Sequence, residues 1–209
     1  MILFTVVKPC NVKGMIMSKA EDKNTINATV GTVIDELKMC LGSIEEQDAQ
    51  EAISMIDSAE RIFCAGMGRS GLATRGFAMR LMHMGKTAFV VGETTTPAIR
   101  KNDLLLIGSG SGRTPSLLAA AEKAGKLGIK VLLFTIDPNS PIGKIADLSI
   151  KFPAPSEKAQ GGGTAASIQP MGSLFEQSLF ILLDCLIVNL MARGNQTSSV
   201  MFTNHANLE

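Results

Sequence analysis

The chain has 209 residues, 45% of them hydrophobic, with nine Phe and neither Trp nor Tyr, which suits one globular domain with a sizeable core. A formal net charge of +1 gives no electrostatic case for binding nucleic acid or an anionic membrane. The four cysteines, Cys10, Cys40, Cys64 and Cys185, form no C-x-x-C, so a reduced, cytoplasmic compartment fits better than a disulfide framework.

The opening MILFTVVKPC has too short an apolar run, and no basic start, for a signal peptide. Residues 1–17 are expected to form an irregular N-terminal extension, either an arm or a stretch ahead of a true start at Met17. The domain then occupies 18–209. Residues 22–41 predict an amphipathic helix with Ile26, Val30, Val33, Ile34 and Leu37 at helical spacing, and 45–58 predict a second. From there the pattern changes. RIFCAG (61–66), TAFVVG (87–92), DLLLIGS (103–109), KVLLFTI (130–136) and DLSIKF (147–152) are short, continuously apolar runs, with helical segments at 71–84, 114–127 and 141–146 between them. Unbroken apolar strands alternating with helices predict an α/β domain whose parallel sheet is covered on both faces.

Residues 153–172, rich in Pro and Gly, form a long loop, and a loop of that length in a compact domain is functional or mobile. The last helix is expected over 174–193. Its stretch LFILLDCLIVNLMA is shorter than a membrane span and contains Asp184 and Asn189, so it reads as a buried helix of a soluble protein. Cys64 and Cys185 lie in apolar runs and read as small buried residues. A polar tail follows, ending in MFTNHANLE.

Two Gly/Ser runs stand where a strand hands over to a helix: Gly66-Met67-Gly68-Arg69-Ser70-Gly71 and Gly108-Ser109-Gly110-Ser111. Ligands of open parallel sheets bind beyond the carboxyl ends of the strands. Free N–H groups at a helix start favour an anion there, phosphate above all. Ser109, Ser111 and Thr114 add hydroxyls in the second run, Arg69 and Ser70 a guanidinium and a hydroxyl in the first, and Pro115 suits a first helical turn. The first run also spells G-x-G-x-x-G, with Glu93 at roughly the spacing of a ribose-binding acid. As a dinucleotide signature that is weak alone, and the second run has no place in it. Serine-capped turns are the plain alternative for either run.

Ser109-Gly110-Ser111-Gly112-Arg113-Thr114, after a strand and before a helix, resembles the phosphosugar-binding motif of the sugar isomerase (SIS) domain family. GMGRSG, GFAMRLMHMG, VVGETTTP, IQPMGSLFEQ and MFTNHANLE further resemble the hexulose-phosphate isomerases of that family, from about residue 25 to the C-terminus. The resemblance implies a single SIS domain: a three-layer αβα sandwich on a five-stranded parallel, flavodoxin-like sheet, assembled into homodimers or homotetramers with active sites near subunit interfaces. It implies interconversion of D-arabino-hex-3-ulose 6-phosphate and D-fructose 6-phosphate, the second step of formaldehyde fixation in the ribulose monophosphate pathway. No cofactor, nucleic acid or membrane is expected. An isomerase of another sugar phosphate, such as an arabinose or heptose phosphate, and a non-catalytic sugar-phosphate sensor remain the alternatives.

Moving a carbonyl between C3 and C2 needs a base for the C2 proton, and a carboxylate in a partly apolar site serves. Glu176 opens an otherwise apolar helix and is the candidate. Read alone, Ser173-x-x-Glu176 is a capping box; the resemblance favours the catalytic role, with Gln177 a neighbouring polar contact. It likewise implies that His205, in the tail, assists ring opening or shuttles a proton between substrate oxygens. His83, at a helix end, is explained by the dipole or by packing. Two isolated histidines and no carboxylate cluster make no evident metal site. Arg113 stands where many members of the family carry Glu and alters the local charge of the phosphate loop. Arg80 is expected on a solvated face, and Thr94-Thr95-Thr96 to line the pocket or form a turn.

Overall fold

A computed structural model describes residues 25–155 and 166–208. The expected extension over 1–17, residues 18–24 and the middle of the long loop lie outside the described residues. Helices α1 (Ile26–Gly42) and α2 (Glu46–Ser58) come first, then strand β1 (Ile62–Gly66), helix α3 (Gly68–His83) and strands β2 (Ala88–Val90) and β3 (Leu104–Gly108). Helix α4 (Pro115–Lys126), strands β4 (Lys130–Thr135) and β5 (Leu148–Lys151), and helices α5 (Ser173–Arg193) and α6 (Ser198–Phe202) complete the order.

The five strands pair in parallel in the order β2-β1-β3-β4-β5. Side chains alternate across the sheet, as the strand period requires. Ile62, Cys64, Leu104, Leu106, Leu132, Phe134 and Ile150 meet α2, α3 and α5 on one face. Phe63, Ala65, Leu105, Ile107, Val131 and Leu133 meet Leu117, Ala121 and Ala124 of α4 on the other. Both faces being buried, the strands read as continuous apolar runs. The result is the expected αβα sandwich on a flavodoxin-like sheet. At the amino ends of β1 and β3, Arg61 clamps buried Asp103 through Nε (2.9 Å) and Nη2 (2.6 Å), which holds the shared register.

Four local expectations change. Residues 141–146 form hydrogen-bonded turns, because Pro141 and Gly143 interrupt so short a stretch; Ile142 still plugs the α4 face. The apolar ridge Ile26, Val30 and Ile34 of α1 is exposed, while Glu36 and Cys40 turn inward. Cys185 is exposed: α5 is apolar on every side, so periodicity could not tell which side is buried. The tail is not polar throughout: Thr197 caps the short helix α6 and Met201 packs into the core. By length and composition α5 could cross a membrane, but nine of its residues are buried and it packs against α1, α2 and α3 as a core helix.

α3 sits unusually close to the sheet. A Cβ on Gly71 would stand 2.6 Å from the Gly66 carbonyl oxygen, and one on Gly108 2.8 Å from Thr74 Cγ2. Gly71→Ala is therefore expected to cost about 1–3 kcal/mol, the usual range for overpacking. Gly31→Ala, in open space on α1, should gain about 0.5–1 kcal/mol. Urea midpoints of the two variants check both signs.

Candidate active site

The strand order reverses between β1 and β3, and there the loops leaving the two strands part. A cavity of about 410 Å³ opens at that point. Met67 from the β1–α3 junction and Arg69 and Ser70 from the first turn of α3 line it, with Ser109, Gly110, Ser111 and Thr114 from the β3–α4 turn. Pro170, Met171, Gly172, Ser173 and Glu176 close it from the end of the long loop and the start of α5.

Three helices start on this cavity: α3 from Met67, α4 from Thr114 and α5 from Gly172. None of the three carries a side-chain cap, as is also true of α2 away from the cavity, while α1 and α6 are capped by Thr25 and Thr197. First-turn amides have no partner within their own helix, so uncapped N-termini turned to one space favour an anion there. The β3–α4 turn is held by its own hydrogen bonds. Ser109 N–H donates to the Phe134 carbonyl and Gly112 N–H to the Ser109 carbonyl, while Ser111 Oγ accepts from Arg113 N–H at 3.3 Å. Gly112 has φ +58°, and Ser140 packs so close behind it that no Cβ would fit.

Across the cavity, Arg69 Nε donates to Glu176 Oε2 at 2.6 Å. The Glu176 side chain is 21% exposed and that of Arg69 62%, so the carboxylate sits in the wall and the guanidinium reaches over the opening. The capping box does not form. The N-cap is Gly172, one residue before Ser173, and no side chain caps the helix. Gln177 Nε2 donates to Gln169 Oε1 at 2.7 Å, away from the carboxylate. Met171, just ahead of the cap, has φ +56°, a backbone strain for a non-glycine residue beside the site.

Seven residues were singled out from the sequence, and six of them, Arg69, Ser70, Ser109, Ser111, Thr114 and Glu176, share this cavity. His205 lies elsewhere. It stacks on His83, ring centroids 5.3 Å apart, and on Phe202 at 5.4 Å, in a second concavity with Arg80, Asp184 and Val188. Asp184 and Val188 are eight and twelve residues along α5 from Glu176, about 12–18 Å of helix. The tail is fixed there by Asn204 Nδ2 donating to the His83 carbonyl and Gln196 Nε2 to that of Met84. Burial, with Arg80 and His205 beside it, holds the His83 imidazole below its ordinary pKa. Arg113 turns from the cavity to Asp137, Nη2 to Oδ2 2.9 Å. Glu93 pairs with Arg75 on the surface and takes no part in the cavity. Sequence reasoning missed the wall residues Pro170, Met171 and Gly172, which no chemistry-bearing side chain marks. Among the described residues, no group of three or more His, Cys, Asp or Glu is placed to hold a metal.

The SIS domain model matches residues 55–181, which include all five strands, both Gly/Ser runs and the start of α5. The chain belongs to the SIS domain family. Among relatives, a Bacillus subtilis protein named 3-hexulose-6-phosphate isomerase is 48% identical over 86% of this chain and 97% of its own. A Mycobacterium gastri protein of the same name is 39% identical over 88% and 92%. A solved structure from Methanococcus jannaschii, for which a 3-hexulose-6-phosphate isomerase function was inferred, is 37% identical over 87% of this SIS chain and 97% of that one, with a TM-score of 0.72.

If the three uncapped N-termini hold an anion, inorganic phosphate should raise the melting temperature at constant ionic strength. At ten times its Kd the linkage is about 1.4 kcal/mol. Ser111→Ala with Thr114→Val should shrink that shift, read by thermal melts with chloride as the control.

Proposed function

We propose that this SIS protein interconverts D-arabino-hex-3-ulose 6-phosphate and D-fructose 6-phosphate, as the names of its relatives indicate. The observation that carries the reading is a carboxylate, Glu176, on the same cavity as three uncapped helix N-termini. Phosphate is held by the backbone and hydroxyls of Ser109, Ser111 and Thr114, with Ser70 and Arg69 on the other side. The sugar then extends toward Glu176.

In the direction of fructose 6-phosphate, Glu176 takes the proton from C2 of the open-chain hexulose. The C2–H electron pair becomes the C2–C3 double bond, and the C3 carbonyl oxygen takes up the negative charge of an enediolate. A proton passes from O2 to O3, Glu176 returns its proton to C3, and C2 is left as the carbonyl. Atoms balance and no cofactor is consumed. Arg69, bonded to one Glu176 oxygen through Nε, still has two amino groups to set against the developing charge. Glu176→Gln is expected to lower kcat at least about a hundredfold in a coupled assay, the scale of a lost general base. Unchanged turnover would remove Glu176 from the chemistry. A wild type that binds phosphate without turnover would instead fit another sugar phosphate or a sensor.

His205 acts in this proposal from a neighbouring subunit of a homodimer or homotetramer. Two features support it: His205 is remote from Glu176 in its own chain, and exposed apolar side chains run over Leu72 and Met79 of α3, Phe180 and Val188 of α5, and Phe202 beside it. A cytoplasmic setting goes with this reading. Mixing the separately inactive Glu176→Gln and His205→Ala variants after mild dissociation is expected to restore part of the activity. No recovery would return His205 to its own subunit.

A further inference from the structure

One buried carboxylate takes no part in the chemistry above. Glu36, in the middle of α1, is 6% exposed and faces inward, where burying an acid is costly unless its oxygens are well supplied with donors. They are. Oε2 accepts from Ser167 Oγ at 2.7 Å and from Gln169 Nε2 at 2.9 Å, and Oε1 accepts from Ile168 N–H at 2.8 Å. These donors hold the carboxyl below its ordinary pKa although burial pushes the other way.

What Glu36 holds is the cavity wall. Residues 166–170 belong to no helix or strand, and among the described residues the hydrogen bonds tying them to other elements run to Glu36, to Gln177 and, from Ser173 N–H to the Pro170 carbonyl at 3.1 Å, to the start of α5. The next residues are Met171, in its strained conformation, and Gly172, the cap of α5. A strained backbone persists only where its surroundings fix it. From Glu36 the chain of bonds continues through the Gln169 amide to Gln177, the residue after Glu176. Glu36 thus reaches the first turn of α5 by two routes, along the wall and through the glutamines, yet it does not touch the cavity.

We infer that Glu36 is a positioning residue for the isomerisation, a carboxylate on α1 that fixes the 167–172 wall and, through Gln169 and Gln177, the helix start that carries Glu176. The inference rests on the isomerase reading. The phosphate loop at 109–114 lies on another strand and makes no bond to this network, so anchoring of the phosphate is independent of it.

The test compares full-length wild type and Glu36→Gln by steady-state kinetics and by amide hydrogen exchange. The amide keeps the volume but offers two donors where three are already aimed, so the network must come apart or re-register. The expected result is a kcat lower by about tenfold with KM within about twofold. Amides of 166–176 should exchange about tenfold faster while β3 and β4 keep their rates. A kcat equal to wild type overturns the inference whatever the exchange, because the wall then matters only to stability. A lowered kcat with unchanged exchange over 166–176 overturns it too. If Glu36→Gln does not fold, Gln169→Leu, which leaves Glu36 its Ser167 and Ile168 partners, is read by the same criteria. If the wild type itself does not turn over the hexulose phosphate, the isomerase reading falls and exchange alone decides: acceleration confined to 166–176 supports the positioning and unchanged rates overturn it.

Discussion

The site depends on how closely α3 lies on the ends of β1 and β3. Gly66 and Gly108 are register partners at the last position of their strands, and both face Thr74 of α3, with Gly71 one turn before it. Three missing side chains let a helix backbone sit against two strand ends at a distance no Cβ would tolerate. Because α3 is pulled in there, its uncapped start points over the switch point and not past it. Arg69 and Ser70, in the first turn, are delivered to the rim. Of the three glycines with dinucleotide-like spacing, Gly66 and Gly71 are thus packing devices and Gly68, with φ +58° and open space around it, serves the turn, so no ribose acid is needed to explain the pattern.

α5 joins this constraint to the rest of the chain. Leu179 packs against Gly108, and Phe180 lies 3.1 Å from where a Cβ on Gly76 would stand, so α5 is seated on α3 over glycines as well. Its two ends do different work. The start, capped by Gly172, puts Glu176 on the cavity; the far half carries the exposed Ile181, Cys185 and Val188 and the shelf on which the tail and His205 rest. One rigid helix therefore sets Glu176 apart from the shelf that carries His205 by about 12–18 Å of helix, the separation behind the proposal that His205 serves a neighbouring subunit.

Much of this was legible in the sequence. The five strands stand out as unbroken apolar runs because both sheet faces are covered, and the two Gly/Ser runs mark the strand ends because backbone must approach a ligand there. Glu176 was legible as an acid at a helix start, but its direction was not: the N-cap fell one residue earlier than the capping-box spacing suggests, and only three-dimensional packing decides that. Other features are set by neighbours distant in sequence. Glu36 sits about a quarter-turn round α1 from the apolar stripe, of which Leu37 still packs on the core, and its partners lie more than 130 positions away. α5, apolar all round, hid both the exposure of Cys185 and the place of His205. Residues 141–146 carried enough apolar character to suggest a helix, yet they form turns that bury Ile142 on the α4 face with Ile145 and Ala146 partly buried beside it.

The division of labour follows from what each group can do in the ground state and the transition state. A phosphate carries the same charge throughout the isomerisation, so helix N-termini that hold it bind substrate and transition state alike and affect mainly KM. In the proposed mechanism, charge that moves from C2 to an oxygen on C3 is felt by groups at the other end of the sugar, the carboxylate of Glu176 and the guanidinium of Arg69. Those two are joined to each other at 2.6 Å across the cavity but reach it from different elements, α5 and α3. A shift of about 1 Å between reacting groups is enough to slow chemistry a hundredfold. In the proposed mechanism the tolerance is therefore strict for the start of α5 and looser for the loop at 109–114, and each is tied to a buried carboxylate: the irregular wall ahead of Glu176 to Glu36, and the loop, through Arg113, to Asp137.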